Sequence, residues 1–69
     1  MFVIKRTEEY DGGTYIDYMN EDGWFNTTKD KARRFLEKED AEEYVESEKS
    51  DPKYKQKYMG VCTFEIEEV

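Results

Sequence analysis

Histidine is absent from this 69-residue chain, and cysteine, proline and tryptophan each occur once. Without histidine the commonest general acid or base near neutral pH is missing, and catalysis finds little support in the remaining residues. The single cysteine, Cys62, excludes an intramolecular disulfide. Small secreted domains normally rely on such staples, so a reducing compartment is expected. No apolar run approaches the roughly 20 residues that a membrane-spanning helix needs. The apolar start Met1-Phe2-Val3-Ile4 is also too short for the core of a signal peptide. The expected location is therefore the cytoplasm, where the sequon Asn26-Thr27-Thr28 has no consequence.

Positive charge is also scarce. Eleven Lys and Arg face 18 Asp and Glu, for a net charge of −7. Such polarity, with only 36% hydrophobic residues, pushes a chain toward disorder. Eleven aromatic residues act against it, because each removes a large area from water on burial. The expectation is one small folded domain over residues 1–69, with a thin stability margin at this length.

Apolar and polar residues alternate from Phe2 to Glu9, with Phe2 and Ile4 on one face and Val3 and Lys5 on the other, the period of a strand. Asp11-Gly12-Gly13 supplies hairpin-turn chemistry before a second strand, Thr14 to Met19. In that strand Thr14, Ile16 and Tyr18 share one face, and Tyr15, Asp17 and Met19 the other. Asn20-Glu21-Asp22-Gly23 reads as the next turn. It echoes a calcium loop only superficially: with Gly23 at the sixth position, Tyr18 and Lys29 would occupy ligand positions that require carboxylates. Trp24 and Phe25 then form either a short third strand or an anchor under the sheet.

Thr27 or Thr28 can cap a helical turn through Lys29 to Leu36 that turns Ala32, Phe35 and Leu36 inward. A second helical segment is expected from about Glu39 to Ser50, with Ala41, Tyr44 and Val45 as its apolar stripe and Glu48 continuing that line. Asp51-Pro52 stops it. A polar connector from Lys53 to Tyr58 leads into a last strand, about Lys57 to Val69, whose core face is Cys62, Phe64 and Ile66. There Cys62 is a packing residue rather than a nucleophile, since it has no histidine partner. The order β-β-(β)-α-β implies an α+β fold: a three- to four-stranded antiparallel sheet with one amphipathic helix packed on one face.

Charge is concentrated between Glu37 and Asp51, where eight acids against two lysines carry −6 of the −7. Within it, Glu39, Asp40, Glu42, Glu43, Glu46 and Glu48 form the candidate partner-binding set. Helix residues one turn apart are about 5–6 Å apart, comparable to neighbouring phosphates along a nucleic acid strand. Such a face repels nucleic acid and attracts proteins with basic surfaces, including those that process nucleic acid. Two other readings compete with it. Arg33, Arg34, Lys53, Lys55 and Lys57 with Tyr54 could contact nucleic acid directly, although the net charge opposes this. Alternatively, Tyr15 and Met19 on an exposed sheet face could form a homodimer. No catalytic, cofactor or metal site is expected.

Phe2-Val3-Ile4-Lys5, the Trp24 to Thr28 turn, Lys31-Ala32-Arg33-Arg34-Phe35 with Glu39-Asp40-Ala41, and the acidic ending Phe64 to Val69 give the chain a broader likeness. In these pieces it resembles small accessory proteins encoded by bacteriophages and mobile elements. The resemblance implies a host-cell setting in which small acidic proteins disarm host defence systems that handle nucleic acid. It transfers no catalytic residues.

Overall fold

The computed structural model describes residues 1–50 and 61–69. Four strands, β1 (Phe2–Tyr10), β2 (Gly13–Met19), β3 (Phe25–Thr27) and β4 (Val61–Glu68), form one antiparallel sheet in the order β3-β2-β1-β4. Helix α1 (Lys38–Ser50) packs on β1 and β4, so the α+β architecture is the expected one. The N-terminal strand thus lies at the centre of the sheet, paired over its length with the C-terminal strand.

The register assigns the faces. Cross-strand partners share a face, so the pairs Ile4–Ile66, Arg6–Phe64 and Arg6–Asp17 put Ile4, Arg6, Asp17, Phe64 and Ile66 on the inner side. Met19 follows Asp17 by two residues and faces the same way. Its neighbour across the next strand pair, Phe25, continues the layer. With Phe35, Ala41 and Val45 from beyond the sheet, Ile4, Met19 and Phe64 form the core. Phe25 tilts against Phe64 at 5.3 Å between ring centroids, and Phe35 against Tyr44 at 6.0 Å, the separations aromatic pairs prefer.

One consequence corrects the homodimer reading. Met19 is fully buried, so it cannot belong to an exposed face, whereas Ile16 on the opposite side is 57% exposed. Tyr15 is exposed, at the end of β2 away from the core.

The turn between β2 and β3 is built by Asn20. Its side-chain oxygen accepts from the backbone N–H of Asp22 at 2.9 Å and of Trp24 at 3.0 Å, and its amide donates to Asn26 at 2.8 Å. Gly23 sits at φ +93°, a region that favours glycine, with the Tyr44 hydroxyl beside it. A Cβ there would lie 2.9 Å from that hydroxyl oxygen, so the turn also touches the helix. Phe25 begins the short strand β3, and Trp24 lies just before it, 60% exposed.

The stretch after Thr28 departs from the expected helical turn. Only Lys29–Lys31 turn, as a single 3-10 helix, and Ala32 is already extended. Phe35 then exchanges two backbone hydrogen bonds with Phe2, at 2.8 and 2.7 Å, while the Arg33 N–H donates to the Met19 carbonyl at 2.9 Å. The backbone groups at the start of β1 and the end of β2 need partners, and this stretch supplies them more completely than an isolated helical turn would. Ala32 and Phe35 are buried as expected, but Leu36 is 72% exposed. The expected stop at Asp51-Pro52, the connector Lys53 to Tyr58 and the start of the last strand before Val61 lie outside the described residues.

Candidate functional site: the acidic helix and the edge strand

Helix α1 begins with Glu39 and Asp40 in its first turn, where carboxylates interact favourably with the positive end of the helix dipole. Ala41 and Val45 are buried, and Tyr44 is half-buried against Phe35. This turns Glu39, Glu42, Glu43 and Glu46 outward, and all four are exposed. They border one groove of about 450 Å³, floored by Val45 from the helix and Ile66 from β4. Among the described residues no cation forms an ion pair with any of them. Asp40 is exposed on the flank and does not line the groove. Glu48 falls on the Ala41–Tyr44 side of the helix and is half-buried, so the structure separates it from the other four.

Ile66 brings the groove to β4, the edge strand among the described residues, and backbone geometry shows what that edge presents. Met1 and Val69 exchange backbone hydrogen bonds at 3.1 and 2.7 Å. Bonded and non-bonded pairs alternate along an antiparallel ladder, so Val3–Glu67 and Lys5–Glu65 are also bonded pairs. Phe2–Glu68 and Ile4–Ile66 are then non-bonded, consistent with Phe2 bonding away from β4 to Phe35. The N–H and C=O of Ile66 and Glu68 therefore point outward from the sheet, beside the groove.

Sequence reasoning gave no role to Arg6, which proves to be the buried charge among the described residues, at 9% exposure. Its Nε donates to Asp17 at 2.9 Å and its Nη2 to the other Asp17 oxygen and to the Phe25 carbonyl, the latter at 3.1 Å. Nη2 also lies 2.8 Å from a Glu8 oxygen, and the guanidinium sits 5.1 Å from the Phe25 ring centroid. The available signal was positional: Arg6 continues the Phe2–Ile4 alternation, two residues beyond a core position, with an acid two residues further on.

On the outer face the Tyr18 hydroxyl reaches across β1 and donates to Glu67 at 2.6 Å, with Lys29 at 3.7 Å from the same carboxylate oxygen. Val3, outward-facing but fully buried, lies in this region, paired with Glu67. Holding its proton for that hydrogen bond, and partly buried, the Tyr18 phenol is pushed up to about 12. Glu67 is lowered, first by accepting that bond and then by Lys29 and Lys5, with burial opposing. Thr28 lowers Asp30 through its own hydroxyl. The shifts of Tyr18 and Glu67 fix a pH window. Tyr18 has its pKa raised on folding, so its contribution is complete below the ordinary tyrosine range and is lost as pH rises toward 12. Glu67 has its pKa lowered, so its contribution is present above the ordinary glutamate range and is lost in acid. Urea midpoints measured across pH for the native chain and Tyr18→Phe are expected to converge at both extremes and to differ most between them. A constant offset at every pH would show that the Tyr18–Glu67 hydrogen bond does not titrate with folding.

The basic residues are divided. Arg33 stacks over the rings of Phe35 and Tyr44, at 4.9 and 5.7 Å from their centroids. Together with Arg34 and Lys31 it borders a second hollow that also contains Glu21 and Asp30. Lys53, Tyr54, Lys55 and Lys57 lie outside the described residues. Cys62 is half-buried on the inner face against the core. Among the described residues no three His, Cys, Asp or Glu side chains are placed to hold a metal ion, and no helix is long and apolar enough to cross a membrane. Comparison with protein-family models, with curated proteins and with solved structures returned no match.

Proposed function

We propose that this chain is a non-enzymatic protein-binding module whose acidic helix occupies a basic surface of a nucleic-acid-processing protein. The observation that carries this reading is the convergence of Glu39, Glu42, Glu43 and Glu46 on one groove with an apolar floor. Carboxylates at one-turn spacing supply charge, and Val45 and Ile66 supply a surface from which water can be excluded. Occupying a groove requires affinity and steric bulk alone. Asp40 extends the charged surface on one flank, while Glu48 contributes to the general field rather than to the contact. The likeness to phage and mobile-element accessory proteins supplies a setting in which the target is a host defence protein.

The triple variant Glu42→Gln, Glu43→Gln and Glu46→Gln tests the reading, because it preserves side-chain size and leaves the buried stripe untouched. Exposed ion pairs contribute about 0.2–1 kcal/mol each, so losing three weakens binding by roughly 3- to 150-fold. The native protein, immobilised and exposed to host lysate, is expected to retain a nucleic-acid-binding protein that moderate salt releases and that the triple variant fails to retain. Equal retention by both would remove the acidic helix from the contact.

A further inference from the structure

We infer that the contact is made by strand addition: the β4 edge takes an extended basic segment of the partner as a fifth strand, laid in the groove beside α1. This rests on the reading above and specifies its geometry. Among the described residues the sheet ends at β4, and no strand pairs with its outer side. The outward N–H and C=O groups of Ile66 and Glu68 are aligned for a new ladder. The groove lies directly beside them, since Ile66 itself forms part of its floor.

Strand alternation then specifies the occupant. The residue opposite Ile66 points inward, over Ile66 and Val45, beside the wall that α1 forms with Glu39, Glu42, Glu43 and Glu46. A side chain with an apolar stem and a cationic tip fits that environment, and lysine and arginine have this form. Its neighbours along the strand point to the outer face, where the exposed carboxylate of Glu65 meets one of them. An extended segment carrying Lys or Arg at successive positions is complementary on both faces. A second copy of this chain is not. Antiparallel pairing of two β4 strands centred on Ile66 would set Glu65 directly against Glu67 of the other copy, and like charges placed opposite one another destabilise a sheet.

Backbone hydrogen bonds distinguish this geometry from attraction to the helix alone. The probe is a fluorescein-labelled heptapeptide, Lys-Arg-Lys-Arg-Lys-Arg-Lys, compared with the same peptide N-methylated at alternate residues in each of the two possible phases. N-methylation removes donors without changing charge. Fluorescence anisotropy at low salt is expected to show binding of the parent peptide and a loss of about tenfold or more for one phase only, the phase that faces β4. Hydrogen exchange of the Ile66 and Glu68 amides is expected to slow on binding. If both methylated peptides bind as well as the parent, while the Glu42/Glu43/Glu46→Gln variant binds none of them, strand addition is overturned and the acidic-helix reading stands. If the peptides fail to bind at low salt, strand addition is likewise overturned, and retention from lysate decides the helix separately. A mass that doubles with concentration, together with protection of the same amides without peptide, would assign the edge to a second copy and overturn the proposal.

Discussion

Replacing Arg6 with Met is expected to lower the unfolding free energy by about 3–5 kcal/mol. Methionine can fill most of the space of the arginine stem, so the substitution chiefly removes charge and donors. What remains is Asp17 and Glu8 on the inner side of the sheet without the guanidinium between them, and a Phe25 carbonyl that has lost that donor. Breaking a buried pair by removing one partner costs about 3–5 kcal/mol. A chain of this size has a total stability of roughly 3–10 kcal/mol, so the loss takes at least about a third of it. Arg6 also links three strands, since Asp17 lies on β2 and Phe25 on β3. Arg6→Lys keeps the charge but cannot reproduce the two-pronged bond to Asp17, and falls between the two. Urea titration followed by circular dichroism measures the series. Adding Glu8→Gln and Asp17→Asn to Arg6→Met is expected to restore part of the lost stability, because the uncompensated carboxylates carry much of the cost. A midpoint for Arg6→Met equal to that of the native chain would show that the cluster is dispensable.

The second large effect is a contrast between two apolar residues on β2. Met19 is fully buried and Ile16 is 57% exposed. Met19→Ala is expected to cost about 2–5 kcal/mol through lost burial and the cavity left among Ile4, Phe35 and Ala41. Ile16→Thr, which keeps a β-branched residue on a wet face, is expected to change stability by about 0.5 kcal/mol or less. Thermal melting of the two variants separates the outcomes without reference to function. If the order were reversed, the inner and outer faces of β2 would have to be exchanged, and with them the register that places Arg6 against Asp17.

Much of this architecture was legible in the residues. Alternation from Phe2 to Glu9 and from Cys62 to Glu67, the glycine pair after Asp11, and the Ala41–Tyr44–Val45 stripe are local signals that the tertiary structure reinforces. The acidic face was equally legible, because carboxylates at one-turn spacing opposite an apolar stripe must point to solvent once the stripe is buried. Position within the sheet was less so. Whether Met19 or Ile16 faces inward depends on how β2 registers against β1, and a shift of one residue exchanges the two faces. Leu36 misled for a related reason: its helical spacing from Ala32 is overridden because Phe35 satisfies the open backbone groups of Phe2.

The sequence by itself determined the alternating strands, the absence of histidine-based acid–base chemistry, and a helix with one charged and one apolar face, since these follow from composition and from periods of two and 3.6 residues. Only the tertiary structure decided that the N-terminal strand is central, that Arg6 is enclosed by two carboxylates, and that the acidic face borders the outer edge of β4. Those outcomes depend on which strands pair and in what register, that is, on contacts between residues up to 68 positions apart. No local pattern encodes such contacts, because each becomes favourable only after the rest of the sheet is in place.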